Sequence, residues 1–249
     1  MIRNVGANQG DPLKCIAAWI AAAAPEGTAV AVDRIAPSAP FDGAEEAAIA
    51  RAAPRRRAEF TTGRRLAREA LARLGCLAAS LPPDSDRMPQ WPVGFVGTIS
   101  HSCQLCIALV GRAHNHLGIG IDVEEIGLMQ PGLASMICRP DETDISGVCG
   151  PVDPTLLRFV AKEAFFKAYF PGTRTFLDFQ DVRVAIDWAS GCFEARLMEP
   201  SKPSLRGSRV FVGRFAILGG YIVAGVWISR RLADSSSAGR HRSAASRPP

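Results

Sequence analysis

Two short stretches hold the residues best suited to chemistry, Gly120-Ile121-Asp122-Val123-Glu124 and, further on, Lys162-Glu163-Ala164-Phe165-Phe166-Lys167. The first reads as a strand, where side chains at i and i+2 share a face, so Asp122 and Glu124 can point at one cation. The second reads as a helix, where i and i+4 share a face, so Glu163 and Lys167 can reach one bound group. Three carboxylates with a lysine beside them suit a hard, oxygen-seeking cation such as Mg²⁺ carrying a phosphate. A lone Asp-x-Glu is ordinarily a solvated strand face, and a Glu–Lys helix pair is worth only about 0.2–0.5 kcal/mol. The setting here differs. Ile119, Ile121 and Val123 alternate with Gly118, Gly120, Asp122 and Glu124. The acids therefore share one face with glycines that leave room for a ligand to approach. Clustered carboxylates that stay ionised need a cation to offset their repulsion.

A second group is basic. Arg55-Arg56-Arg57 precedes Gly63-Arg64-Arg65, and Arg87 lies in a proline-rich stretch. The plain reading is a solvated positive face; the functional one is phosphate capture, since guanidinium groups bind phosphate oxygens bidentately. Ser100-His101 is no nucleophile–base dyad on an extended chain, because neighbours point opposite ways, yet each can donate to a phosphate. His114 and His116 share a strand face but lack a third ligand for zinc. Cys103-Gln-Leu-Cys106 is a solitary C-x-x-C, read as small apolar residues on opposite sides of a strand. The sequence has no Walker loop, no G-x-G-x-x-G and no G-x-S-x-G.

The elements that must position these groups follow from periodicity and punctuation. We expect a helix over 13–23 and a strand over 28–34, then a short helix over 43–53. The Pro54–Phe60 stretch should lead into a longer helix that runs to Leu74, with Leu66, Ala70 and Leu74 as its core stripe and Gly75 as its stop. Residues 80–94 hold four prolines and read as loop. Strand pieces are expected around Thr98–Ser100 and Cys106–Val110, and a strand over 117–124. A Gly- and Pro-punctuated stretch should reach Asp153. A helix should then cover 155–170, with Phe159, Phe166 and Phe170 on one face and Pro171-Gly172 ending it. Four strands are expected at 181–187, 192–198, 209–217 and 221–229. Each half thus has a long helix followed by strands, a faint repeat with a boundary near 112–116. We divide the chain into 1–112, 113–232 with the metal site, and a disordered tail over 233–249.

Bulk properties set limits on function. The 249 residues are 47% hydrophobic, enough for a real core. The net charge is +5, but the segment from Arg230 onward holds five arginines and one aspartate. The basic character therefore lies in the tail and argues against a nucleic-acid face on the body. Seven cysteines, an odd number, do not form a disulfide framework and suit the cytoplasm. No apolar run approaches the length of a membrane span, and Cys15–Ala24 reads as a helix feeding a strand rather than a secretion signal.

Taken in order, Arg56-Arg57-Ala58-Glu59-Phe60-Thr61-Thr62-Gly63-Arg64, Trp91 through Ser100-His101, Gly120-Ile-Asp122-Val-Glu124 and Lys162-Glu163-Ala-Phe-Phe-Lys167 resemble the 4'-phosphopantetheinyl transferases. The branch it is similar to is the monomeric one of secondary metabolism, the enterobactin synthase component type. The resemblance covers roughly half the chain, from Pro54 to Phe179. It implies an α+β pseudo-dimer of two similar halves with the active site in the cleft between them. It also implies transfer of the phosphopantetheine arm of coenzyme A to a serine of an acyl or peptidyl carrier protein, with release of adenosine 3',5'-bisphosphate. By the same resemblance Asp122, Glu124 and Glu163 would hold Mg²⁺, and Glu163 would take the serine proton. Lys167, and less directly Lys162, would stabilise the phosphate under attack. Arg56, Arg64 and His101 would clamp the phosphates, with Arg57 a substitute; Arg87 falls one residue from where the family often carries lysine, and Ser100 would sit beside the nucleotide. The implied protein is a cytoplasmic monomer that meets a carrier protein and no membrane. The competing reading is a coenzyme A or nucleotide-binding protein without catalysis.

Overall fold

The structure, a computed structural model, describes residues 10–40, 42–77, 80–127, 129–130, 132–142 and 152–230. The expected tail over 233–249 lies outside the described residues. The first half contains helices α1 (Pro12–Ala23), α2 (Gly43–Ile49) and α3 (Pro54–Arg73) and strands β1 (Thr28–Arg34), β2 (Phe95–Ser102) and β3 (Leu105–Arg112). The second contains strand β4 (His116–Glu125), helices α4 (Leu133–Ile137) and α5 (Pro154–Thr173), and strands β5 (Val182–Asp187), β6 (Cys192–Leu197), β7 (Val210–Leu218) and β8 (Tyr221–Ser229). A three-stranded antiparallel sheet has the order β1-β3-β2, and a five-stranded one the order β4-β8-β7-β6-β5. The chain passes from one sheet to the other between Arg112 and His116.

Period-2 alternation sorts the strands into three cores. On β3, Leu105, Ile107 and Leu109 face α1, while Cys106, Ala108 and Val110 face α3. On β4, Ile119, Ile121 and Val123 join the same α1 cluster, which also takes in Val30 and Val223. One apolar core therefore spans both sheets, and α1 closes it. The opposite faces carry one long helix each, α3 on the first sheet and α5 on the second. This is an α+β fold of two similar halves, each a long helix laid on an antiparallel sheet.

Several expectations change. Pro54 begins α3 rather than preceding it, because its fixed φ suits the first helical position and its missing N–H has no partner to lose there. Pro171 does not end α5. The helix runs to Thr173 and closes with the Arg174 N–H on the Phe170 carbonyl at 2.7 Å, a proline near the last turn forfeiting one ladder bond. A short helix, α4, interrupts the stretch read as loop. Cys103 stands in the tight β2–β3 turn with φ 51° rather than on a strand, exposed, while Cys106 is buried. His114 likewise lies in a turn before β4.

The glycines of β4 serve a different neighbour from the expected ligand. A Cβ at Gly118 would lie 1.9 Å from the Ala168 carbonyl oxygen, and one at Gly120 would lie 1.8 Å from that of Ala164. They let α5 lie directly on β4, and so bring Glu163 and Lys167 over the acids of the strand.

Candidate active site

The site forms where β2 meets β4. These strands share no ladder; side chains join them instead. Thr98, Ser100 and Ser102 recur with period 2 on β2 and face the second half. The Ser100 hydroxyl donates to Asp122 Oδ1 at 2.7 Å, and the Ser102 hydroxyl to Glu124 Oε2 at 2.6 Å. The Ile121 N–H reaches Thr98 Oγ1 at 3.4 Å, and the Glu125 N–H reaches the Ser102 hydroxyl at 3.2 Å. From α5, Lys167 Nζ donates to Asp122 Oδ1 at 2.6 Å and to the Ser100 hydroxyl at 3.1 Å.

Asp122 is buried, and its second oxygen, Oδ2, has no hydrogen-bond partner. Burial raises the Glu124 pKa, and the charge of Asp122 adds to the shift. Burial likewise raises that of Glu163, with Asp122 and then Glu124 repelling its charge and Lys167 opposing the shift. The three carboxylates sense one another across the seam. Among the described residues no three acidic, imidazole or thiol groups are drawn together tightly enough to cage an ion as they stand, and Lys167 and Ser100 engage Asp122 Oδ1. The donors nonetheless fit a hard cation in kind: all are carboxylate oxygens, one of them a buried oxygen lacking a partner.

The basic residues divide. His101 and Ser100 point to opposite faces, as alternation requires, and His101 meets α3. Arg56 Nη1 lies 3.1 Å from His101 Nε2, and 3.4 Å from Glu59 Oε2. A guanidinium cannot accept a hydrogen bond, so this contact is one only when His101 Nε2 is unprotonated, while Glu59 Oε2, 3.7 Å from the same nitrogen, favours the protonated ring. Burial lowers the His101 pKa, and the Glu59 carboxylate opposes that shift. Glu59 is pushed up by burial, but His101, Arg55 and Arg56 outweigh this and leave its pKa lowered. Arg64 is buried, donates to the Leu81 carbonyl at 2.5 Å and lies over the Phe60 ring at 4.4 Å. Burial pulls its pKa down to about 10.

Three adjoining cavities make a cleft. One of about 460 Å³ is lined by Arg56, Arg64, Arg87 and His101. The next, about 630 Å³, shares Arg87 and Ile99 with it and reaches Lys167 and Phe166. The third, about 450 Å³, shares Phe166 and Phe176 and is lined by Glu163. Phe166 and Phe170 of the expected aromatic stripe line the cleft, Phe166 also packing against the core that α5 meets with Val160, Ala164, Phe165 and Ala168.

Two expected phosphate ligands are engaged elsewhere. Lys162 is buried and turned from Asp122, with Nζ 2.8 Å from Glu142 Oε2 and 2.7 Å from the Ile137 carbonyl. Arg57 braces α2, donating to the Ile49 carbonyl at 2.8 Å and to Glu46 Oε1 at 3.0 Å. Sequence reasoning passed over Glu59 and Ser102. The period-2 spacing of Ser102 from Ser100 was the available signal for one, and the i, i+3 spacing of Glu59 from Arg56 for the other.

Comparison with known proteins gives the same family. Residues 44–111 match the family model described as 4'-phosphopantetheinyl transferase N-terminal domain, and residues 118–223 match that of the 4'-phosphopantetheinyl transferase superfamily. The 4'-phosphopantetheinyl transferase Svp of Streptomyces mobaraensis is 38% identical over 192 residues, covering 74% of this chain and 78% of that protein. The transferase Npt of Nocardia iowensis is 30% identical over 193 residues, covering 74% and 87%. Enterobactin synthase component D of Escherichia coli (strain K12) is 36% identical over 141 residues, covering 54% and 65%. The chain therefore belongs to the 4'-phosphopantetheinyl transferase superfamily.

Proposed function

We propose that this protein moves the phosphopantetheine arm of coenzyme A to a serine of an acyl or peptidyl carrier protein, with its chemistry at the β2–β4 seam and coenzyme A in the adjoining cleft. The observation that carries the reading is a cleft lined by Glu163 and Lys167, with Lys167 bonded to Asp122 and Glu163 sensing the charges of Asp122 and Glu124, whose other end is lined by Arg56, Arg64, Arg87 and His101. A pyrophosphate suits the first end and a ribose phosphate the second.

Asp122, Glu124 and Glu163 would hold Mg²⁺. Bound there, the ion would neutralise charge on the pyrophosphate oxygens and on the departing phosphate. Glu163 takes the proton of the carrier serine, whose oxygen bonds to the phosphorus bearing the pantetheine arm. The bond from that phosphorus to the bridging oxygen breaks, and adenosine 3',5'-bisphosphate leaves with the bridging oxygen. Lys167, held beside Asp122, stabilises the phosphate under attack. Arg56 is held between His101 and Glu59, and Arg64 is desolvated; both serve to fix the nucleotide end.

The direct test is the intact mass of an apo carrier protein after incubation with this protein, coenzyme A and Mg²⁺, with and without chelator. We expect a gain of one phosphopantetheine that chelator prevents. Glu163→Gln should keep coenzyme A binding by calorimetry and lose transfer by about 10²–10⁴-fold. Transfer at the wild-type rate would remove Glu163 from the role of base, and binding without transfer by the wild type would leave a coenzyme A-binding protein.

A further inference from the structure

The loop that presents Arg87 is built around one carboxylate. Asp84 Oδ1 accepts from the Asp86 and Met88 N–H groups, both at 2.9 Å. The backbone closes around it, Asp84 N–H to the Met88 carbonyl at 2.8 Å and Arg87 N–H to the Asp84 carbonyl at 3.0 Å. This fold of the loop puts Arg87 at φ 66°. Asp84 Oδ2 is left to look outward, and it meets a residue of the other half: Arg174 Nη1 lies 2.7 Å from it and 2.7 Å from Asp86 Oδ2.

Arg174 occupies the left-handed C-cap of α5 at φ 52°, a position where glycine is ordinarily favoured and a larger residue costs about 1 kcal/mol or more. A guanidinium also suits the negative end of the helix. The cavity of about 630 Å³ lies beneath this contact, with Asp86, Arg87 and Met88 along one wall, Phe170 and Arg174 along the other, and Lys167 further in. Arg87 lines this cavity and the neighbouring one that holds Arg56, Arg64 and His101.

We propose that Arg174 is a positioning residue: paired with Asp84 and Asp86, it latches the Pro82–Gln90 loop of the first half onto the end of α5 and so holds Arg87 over the cleft. The inference rests on the cleft being the coenzyme A site. Arg174 itself touches neither reacting atoms nor metal; its effect passes through the placement of Arg87.

The test compares the full chain with Arg174→Ala, Arg174→Lys, Asp86→Asn and Arg87→Ala by coenzyme A calorimetry, and by kcat and KM for coenzyme A with carrier in excess. Arg174→Ala should raise Kd and KM for coenzyme A about fivefold at low salt, with the effect shrinking as salt is raised. Its kcat at saturating coenzyme A should be unchanged. Because one nitrogen, Nη1, makes both contacts, Arg174→Lys should recover most of the affinity, and Asp86→Asn should fall between. In the Arg87→Ala background, Arg174→Ala should add little, since both act through the same side chain. Equal coenzyme A affinity for wild type and Arg174→Ala would overturn the latch, as would full additivity with Arg87→Ala. A wild type that binds no coenzyme A would overturn both the latch and the cleft on which it rests.

Discussion

Lys162 and Lys167 stand on one helix, and burial gives them different work. Lys167 keeps about a quarter of its side chain exposed and touches Asp122 and Ser100. The Lys162 and Glu142 side chains are 2% and 0% exposed, so their ion pair has left water altogether. Burial lowers the Lys162 pKa, and the Glu142 carboxylate opposes that shift. Glu142 also accepts the Val184 and Arg139 N–H groups, so this pair joins α5 to β5 and to the segment after α4. Truncating one member of such a pair strands the other. Lys162→Met should cost about 3–5 kcal/mol of stability in urea denaturation, with coenzyme A affinity of the folded protein nearly unchanged. A large loss of affinity with stability intact would return Lys162 to the phosphate-binding role that its sequence position suggests.

At the scale of elements, the contact that matters most is α5 on β4. Ridge and groove have no side chain between them at Gly118 and Gly120, where the backbone of α5 sits in the space of a Cβ. Gly120→Ala forces the helix outward by way of the Ala164 carbonyl, the residue next to Glu163. Overpacking of this sort costs about 1–3 kcal/mol. We expect transfer to fall further than stability alone would account for, because an ångström of displacement separates Glu163 and Lys167 from Asp122. Thermal denaturation beside kcat/KM checks this; a destabilised variant with wild-type kcat/KM would show that α5 has latitude against the strand.

At the scale of the whole molecule, the two halves share the core under α1, and His116 marks the crossing between them. His116 is buried at the start of β4, against Gly111 of β3, and neither ring nitrogen has a hydrogen-bond partner. Burial lowers its pKa, and His114 adds to the shift. The unfolded chain protonates this ring near its ordinary value of about 6.5, whereas the folded chain resists. Above that pH neither state holds the proton, and the contribution to stability is complete. Below it the unfolded state binds more protons, so stability falls as pH drops. His101, also lowered by burial, acts in the same direction. Urea denaturation at pH 7.5 and 5.5 should show this loss, and His116→Leu should reduce it. An unchanged acid slope in His116→Leu would place the effect elsewhere. No helix among the described residues is long and apolar enough to cross a membrane.

Much of the site was legible because its information is local. Alternation on β4 put Asp122 and Glu124 on one face, helical spacing put Glu163 and Lys167 together, and alternation again parted Ser100 from His101. Strands at 28–34 and 221–229 follow the same way, from runs whose period and flanking punctuation need no partner to interpret. What the sequence could not decide was who faces whom. The β4 glycines announce a close approach, but only packing reveals that the visitor is α5. Arg57 and Lys162 look like phosphate ligands by neighbourhood in the chain, and each is turned away by a carboxylate, Glu46 or Glu142, brought close by the fold. Arg174 and Asp84 lie ninety residues apart and have no common motif. Period and propensity are properties of a few consecutive residues; the partner of a charge, and the depth at which it sits, are set by elements that meet only when the chain has folded.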